Sequence, residues 1–143
     1  MNTLTIKEAH LPDVFTKGVE ITANFVGRAW LAMLGNNKAC DIAVYNVTFA
    51  PGCRNNWHKH AVGQLLLCTA GVGYYQERGR DARRLLPGDV VEIPAETEHW
   101  HGAAPDSEFV HIGMTPKMSE NGVVWLRPVT DEEYAAATAT ENK

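Results

Sequence analysis

The chain has 143 residues, the length of one ordinary domain. Hydrophobic residues make up 45% and charged residues 21%, a soluble globular mix that excludes disorder and fibrous repeats. A formal charge of −4, from 17 acidic against 13 basic residues, lacks the basic surplus of a nucleic-acid binder, and the apolar run Leu65-Leu66-Leu67 is far too short to cross a bilayer.

The opening Met1-Asn2-Thr3-Leu4-Thr5-Ile6-Lys7-Glu8 lacks the basic patch and apolar core of a signal peptide. With 3 cysteines (Cys40, Cys53, Cys68) that cannot all pair in one chain, a cytoplasmic protein is expected. Strand signals follow in short pieces at Val19 to Ala23 and Trp30 to Leu34, separated by Gly27. Cys40 to Phe49 alternates between Ile42, Val44, Asn46, Thr48 and Ala43, Tyr45, Val47, Phe49, a period of two that fits a strand. Ala50-Pro51-Gly52 stops it. Gln64 to Thr69, the turn Ala70-Gly71 and Val72 to Glu77 read as a hairpin-like pair. Leu85-Leu86 leads into the turn Pro87-Gly88-Asp89, and Asp89 to Ile93 forms a strand closed by Pro94. Phe109 to Met114 and the edge segment Val123 to Leu126 are the last strands. Thr130-Asp131-Glu132-Glu133 has the capping-box form, so a helix is expected through Tyr134 to Ala139, with Glu141-Asn142-Lys143 fraying. Short strands joined by close turns in a single domain over residues 1–143 predict an all-β sandwich or barrel with a short C-terminal helix.

Five of the 6 histidines fall between residues 58 and 111. His58-Lys59-His60 and His99-Trp100-His101 are both His-x-His. In an extended chain such rings project from one face about 7 Å apart, given a rise of about 3.4 Å per residue. With metal–imidazole bonds of about 2.0–2.2 Å, each pair can converge on one ion. Gln64 adds a neutral oxygen donor four residues after His60, otherwise awkward at the head of an apolar run. Oxygen beside imidazole suits Mn, Fe, Co, Ni or Zn. His111 lies on the parity opposite Val110 and Ile112, which is the placement of an inward polar position; taken alone it reads as a hydrogen-bonded core histidine. Tyr45, Phe49, Trp57, Trp100 and Phe109 are candidates for an apolar pocket or for core packing. Cys53 reads as a small packed residue, with oxidant sensing as the alternative, and Arg78 to Arg84 as a solvated turn, with an anion site second.

The spacing Gly52-x5-His58-x-His60-x3-Gln64-x6-Gly71 resembles the first motif of the cupin superfamily, with Gln64 where a Glu is usual. Gly88-x5-Pro94-x-Glu96-x2-His99 resembles the second, with Glu96 and Ala103 departing from the common Gly and Asn. The resemblance implies a cupin jelly-roll barrel. His60-Ala61-Val62-Gly63-Gln64, His99-Trp100-His101-Gly102-Ala103-Ala104-Pro105, His111 and Val129-Thr130-Asp131-Glu132-Glu133-Tyr134 are similar to the small cupins that include manganese-dependent hydroxynitrile lyases. That similarity implies His58, His60, Gln64 and His99 as metal ligands, a divalent cofactor with manganese first and Fe, Zn, Ni or Co as alternatives, a small-molecule substrate, and a homodimer or higher homo-oligomer. It leaves His101 and His111 at the open side of the ion.

Four neutral ligands leave a divalent ion its full charge, so it is a strong Lewis acid toward a carbonyl or alkoxide oxygen. His101 and His111, near neutral in intrinsic pKa, are the candidate catalytic acid and base. Three readings follow: a metal-dependent lyase on small cyanohydrin or carbonyl substrates, an Fe- or Cu-dependent dioxygenase, and a small-molecule-binding or sensory cupin without turnover. Neither nucleic acid nor membrane is an expected partner.

Overall fold

The computed structural model describes residues 14–35, 38–116 and 122–139. Met1 to Glu8 and Glu141 to Lys143 lie outside the described residues. One curled antiparallel sheet contains β1 (Val19–Ile21), β3 (Ala29–Met33), β4 (Ile42–Phe49), β7 (Gln64–Gly71), β10 (Val90–Ile93) and β12 (Phe109–Pro116), in the order β1-β3-β4-β12-β7-β10. The second is built around β11 (His99–Ala103). On one side of it lie β5 (Arg54–Asn55) and β6 (His58–His60), which carry β2 (Phe25–Val26) and β13 (Val123–Trp125); on the other lie β8 (Gly73–Glu77) and β9 (Arg83–Leu85). The all-β fold with a short C-terminal helix agrees with the sequence.

The hairpin expected at residues 64–77 does not form. β7 pairs with β12 and β10, whereas β8 pairs with β11 and β9, so the two strands belong to different sheets. Gly71 makes the crossing. It has φ 74°, and a Cβ there would stand 1.8 Å from the Glu108 carbonyl oxygen, so only glycine lets the chain pass so close while turning. Glu96, at the position where the cupin pattern has Gly, likewise has φ 61°.

Between the sheets Phe49, Leu66, Leu85, Val91, Ile93 and Phe109 form the main core. Cys53 joins it fully buried, and burial pushes its thiol up to about 12, which makes it a packed and unreactive residue. A second core lies under the helix α1 (Asp131–Ala139), made by Trp57, Tyr74, Trp100, Val129 and Tyr134. Trp57 and Trp100 therefore point away from the barrel interior. For Trp100 this follows from parity, since His99 and His101 on either side face inward.

The capping box forms as read: Glu133 N donates to Thr130 Oγ1 at 3.0 Å and Thr130 N to Glu133 Oε1 at 2.9 Å. Arg127 binds both Glu133 oxygens and holds that carboxyl down to about 2. The buried Arg54 guanidinium donates to the Val129 carbonyl and to Asp131, and lies 4.6 Å from the Tyr134 ring. β5 is thus clamped from outside by the helix while its next residue, Asn55, faces inward. In the arginine-rich turn, Arg78 pairs with Glu98 and Arg80 with Glu77, as a solvated turn would.

Gly102 lets β5 approach β11. A Cβ there would fall 2.5 Å from the Cys53 carbonyl oxygen and 2.6 Å from Arg54 Cα. Because backbone would have to move, Gly102→Ala is expected to cost at least the roughly 1–3 kcal/mol of an overpacked core. A lowered denaturant midpoint checks this; an unchanged midpoint would show that β5 can shift freely.

Candidate metal centre

His58 and His60 alternate with Lys59 along β6, and His99 pairs with His58 across the β6–β11 ladder. Extended geometry therefore places three imidazoles on one inner face, where one ring nitrogen from each lies within 4.8 Å of the others. Ring centroids of His58 are 5.2 Å from His60 and 4.2 Å from His99.

Local backbone sets the tautomers. His58 Nδ1 donates to the Asn56 carbonyl and His99 Nδ1 to the Thr97 carbonyl, each at 2.8 Å. A proton on Nδ1 leaves Nε2 as a lone pair directed at the cluster, the usual outer-shell arrangement for a metal-binding histidine. His99 Nε2, both ring nitrogens of His60 and Gln64 Oε1 are buried with no protein hydrogen-bond partner. Buried lone pairs left without a donor are costly, and a divalent cation satisfies them together. The residues present fit such an ion.

Burial keeps these rings uncharged, as ligands must be. It lowers His58 well below the usual histidine value, with nearby His99 adding to the effect, and lowers His60, where the neighbouring Gln64 amide opposes it. It pushes His99 down to about 4.

His101, also on β11, bridges the cluster to His111. Its ring lies 5.5 Å from His58, 5.7 Å from His99 and 5.0 Å from His111. Asn55 holds it: Oδ1 accepts the His101 backbone N–H at 2.9 Å, which turns Nδ2 toward the imidazole, 3.3 Å from Nδ1. His111 is fully buried among Phe49, Phe109 and His101, and neither ring nitrogen has a hydrogen-bond partner. Burial pushes it down to about 3 and lowers His101 well below its usual value. The near-neutral pKa expected of both from sequence is therefore not what the enclosed barrel gives them. A β-bulge aims His111: the β12–β7 register passes from Val110↔Ala70 to His111↔Cys68, leaving Thr69 unpaired.

His58, His60, Gln64, His101 and His111 open into one chamber of about 980 Å³, walled by Val19, Ile21, Leu31, Val47, Phe49 and Trp125 among others. Of the five aromatic candidates, Tyr45 and Phe49 line it, Phe49 being at once part of the core, whereas Phe109 packs behind Phe49. Among the described residues no lysine or arginine lines it. Asn55, Thr115 and Trp125 are site residues that sequence reasoning missed. Trp125 lies 4.6 Å from the His58 ring, and its place in an apolar edge segment was the one available signal.

The fold and site define a double-sheet β-barrel with a histidine-rich, candidate divalent-metal centre inside its mouth. The model of the cupin domain (Cupin_2) matches residues 45–112. The (R)-mandelonitrile lyase of Granulicella tundricola is 42% identical over 93 residues, which are 65% of this chain and 71% of that protein. A crystal structure of a cupin-like protein from Thermotoga maritima is 47% identical, covers 92% of this chain and 99% of its own, and superposes with a TM-score of 0.84. The chain belongs to the cupin family. The DMSP lyase DddQ of Ruegeria pomeroyi, 24% identical with a TM-score of 0.62 over 82% of this chain and 61% of its own, shares the fold alone.

Proposed function

We propose that the chain is a metal-dependent lyase that cleaves small, uncharged cyanohydrins, or related carbonyl adducts, with His111 and His101 moving the protons. A divalent ion held by His58, His60, Gln64 and His99, with manganese as the first candidate, would supply Lewis-acid polarisation of the substrate oxygen. The observation that carries the reading is His111: a fully buried imidazole with no hydrogen-bond partner on either nitrogen, facing the same chamber as His58, His60 and Gln64.

Asn55 Nδ2 lies 3.3 Å and 3.4 Å from the two ring nitrogens of His101, whereas neither nitrogen of His111 has a hydrogen-bond partner, so His111 is the freer acceptor. It takes the hydroxyl proton of the cyanohydrin. The carbonyl forms as the bond to the nitrile carbon breaks, and that electron pair leaves with cyanide. A proton from the imidazole pair then completes hydrogen cyanide. The aliphatic and aromatic wall holds the apolar body of the substrate and excludes water, and the wall's lack of lysine and arginine among the described residues favours a substrate without carboxylate or phosphate. The name of the Granulicella tundricola relative, (R)-mandelonitrile lyase, supports the same reaction.

The test is elemental analysis of protein purified without a metal-affinity tag, then a screen of aldehydes and cyanohydrins with that metal restored and oxygen uptake recorded. Cyanide release without oxygen consumption is expected. Oxygen uptake would favour a dioxygenase, and saturable binding without turnover a sensory cupin.

A further inference from the structure

Tyr45 on β4 and Gln64 at the start of β7 are separated by β12. Gly113 of β12 is the register partner of Tyr45 on one side and of Leu66 on the other. A Cβ on Gly113 would stand 2.3 Å from Tyr45 Cε2. The glycine leaves the space through which the phenol ring crosses a whole strand. At the far side Gln64 Nε2 donates to Tyr45 Oη at 2.7 Å.

A primary amide has one donor end and one acceptor end, so fixing the first fixes the second. With its NH₂ committed to Tyr45, Gln64 keeps Oε1 buried without a well-formed hydrogen bond, and the amide otherwise acts on the neighbouring His60 imidazole. The opposite flip would give Tyr45 the oxygen and point two N–H groups at a cation. Nothing in the backbone of β7 decides between these states; Tyr45 does, because its hydroxyl, hydrogen-bonded to Thr115 as well, can give its proton there and accept from the amide. Packing alone would not need the hydroxyl, because a phenylalanine fills the gap over Gly113 equally well.

We propose that Tyr45 is a positioning residue of the metal centre: reaching across Gly113, it locks the Gln64 amide with Oε1 turned toward the three imidazoles. This rests on the metal-binding reading above. It makes the Gln64 position dependent on a residue nineteen positions earlier, in a way that a Glu there would not be, since either carboxylate oxygen can ligate.

The experiment is a titration of tag-free, metal-stripped full-length protein with Co(II), read by calorimetry and by the visible absorption of the bound ion. Tyr45→Phe is expected to bind about 10–100-fold more weakly, the usual loss for an outer-shell partner, and to give an altered Co(II) spectrum at saturation. In a Gln64→Glu background, adding Tyr45→Phe is expected to change affinity little. An unaltered affinity and spectrum for Tyr45→Phe would overturn the proposal. So would an equal loss in both backgrounds, since that marks a packing effect rather than amide orientation. Wild-type protein that takes up no Co(II) would overturn the metal-binding reading itself, a result seen before any variant is compared.

Discussion

His58→Ala, His60→Ala and His99→Ala are each expected to leave the purified protein nearly free of divalent metal. The affinity loss should exceed the about 10–100-fold that an outer-shell partner costs, because each removes a ring of the three-histidine cluster, and the lone pairs of His60 and His99 have no other hydrogen-bond partner in the protein. Gln64→Ala should lose less, an amide oxygen being the poorest of the four donors. Metal content by elemental analysis checks this, and full occupancy in any one of the three histidine variants would show that the ligand set is wrong.

The buried histidines of the site make the metal-free protein acid-sensitive. Histidine in an unfolded chain titrates near about 6.5. In the folded protein burial pushes His99 down to about 4 and His111 to about 3, and lowers His58, His60 and His101 as well. Between those values the unfolded chain binds more protons than the folded one, so stability falls as pH falls. The contribution of each ring is fully present above about pH 6.5 and is lost as pH drops toward its folded value, at about 1.4 kcal/mol per pH unit while the window is open. His99 and His111 alone remove about 4 kcal/mol by pH 5, a substantial loss beside an ordinary domain's roughly 5–15 kcal/mol. Metal binds only the neutral folded site, so it should move the acid unfolding midpoint downward. Circular dichroism against pH, with and without saturating metal, measures both effects. Equal stability of the metal-free protein at pH 7 and pH 5 would contradict the burial of these rings.

Much of this centre is legible in the sequence because it depends on local periodicity. His-x-His in an extended segment fixes which rings share a face, and the Trp100 between two inward histidines must then point outward, to the core under the helix. The capping box is equally local, and both of its hydrogen bonds are present. What periodicity cannot say is which strand lies beside which. The segments 64–71 and 73–77 look like a hairpin, yet Gly71 sends them into separate sheets through a close approach to Glu108, which lies far along the chain. Asn55 is held by Arg54 at the helix on one side and reaches His101 on the other, a role set by contacts 77 and 46 residues apart. The bulge at Thr69 that aims His111 leaves no compositional mark at all. Parity alone places His111 inward, and the structure adds what parity does not carry: neither of its nitrogens has a hydrogen-bond partner.

That last property separates function from stability at one residue. His111→Ala is expected to keep the metal and the fold while lowering turnover by about 10²–10⁴, the usual range for losing a general base. Alanine leaves a void among Phe49, Phe109 and His101, so part of any loss could be structural. His111→Leu removes that ambiguity. Burying an imidazole with two unsatisfied nitrogens costs more than burying an apolar group of similar size, so the leucine variant should match or exceed wild-type stability while remaining as inactive as the alanine variant. Because burial holds His111 down to about 3, it is an unprotonated acceptor throughout the neutral range, and the wild-type rate should show no near-neutral limb attributable to it. His101→Ala is the comparison: it strands the Asn55 amide and should cost about 1–3 kcal/mol of stability as well as activity. If His111→Leu loses metal in step with turnover, His111 is a ligand or a support for one. If it keeps both metal and full turnover, the base is His101, and the free nitrogens of His111 serve substrate binding instead.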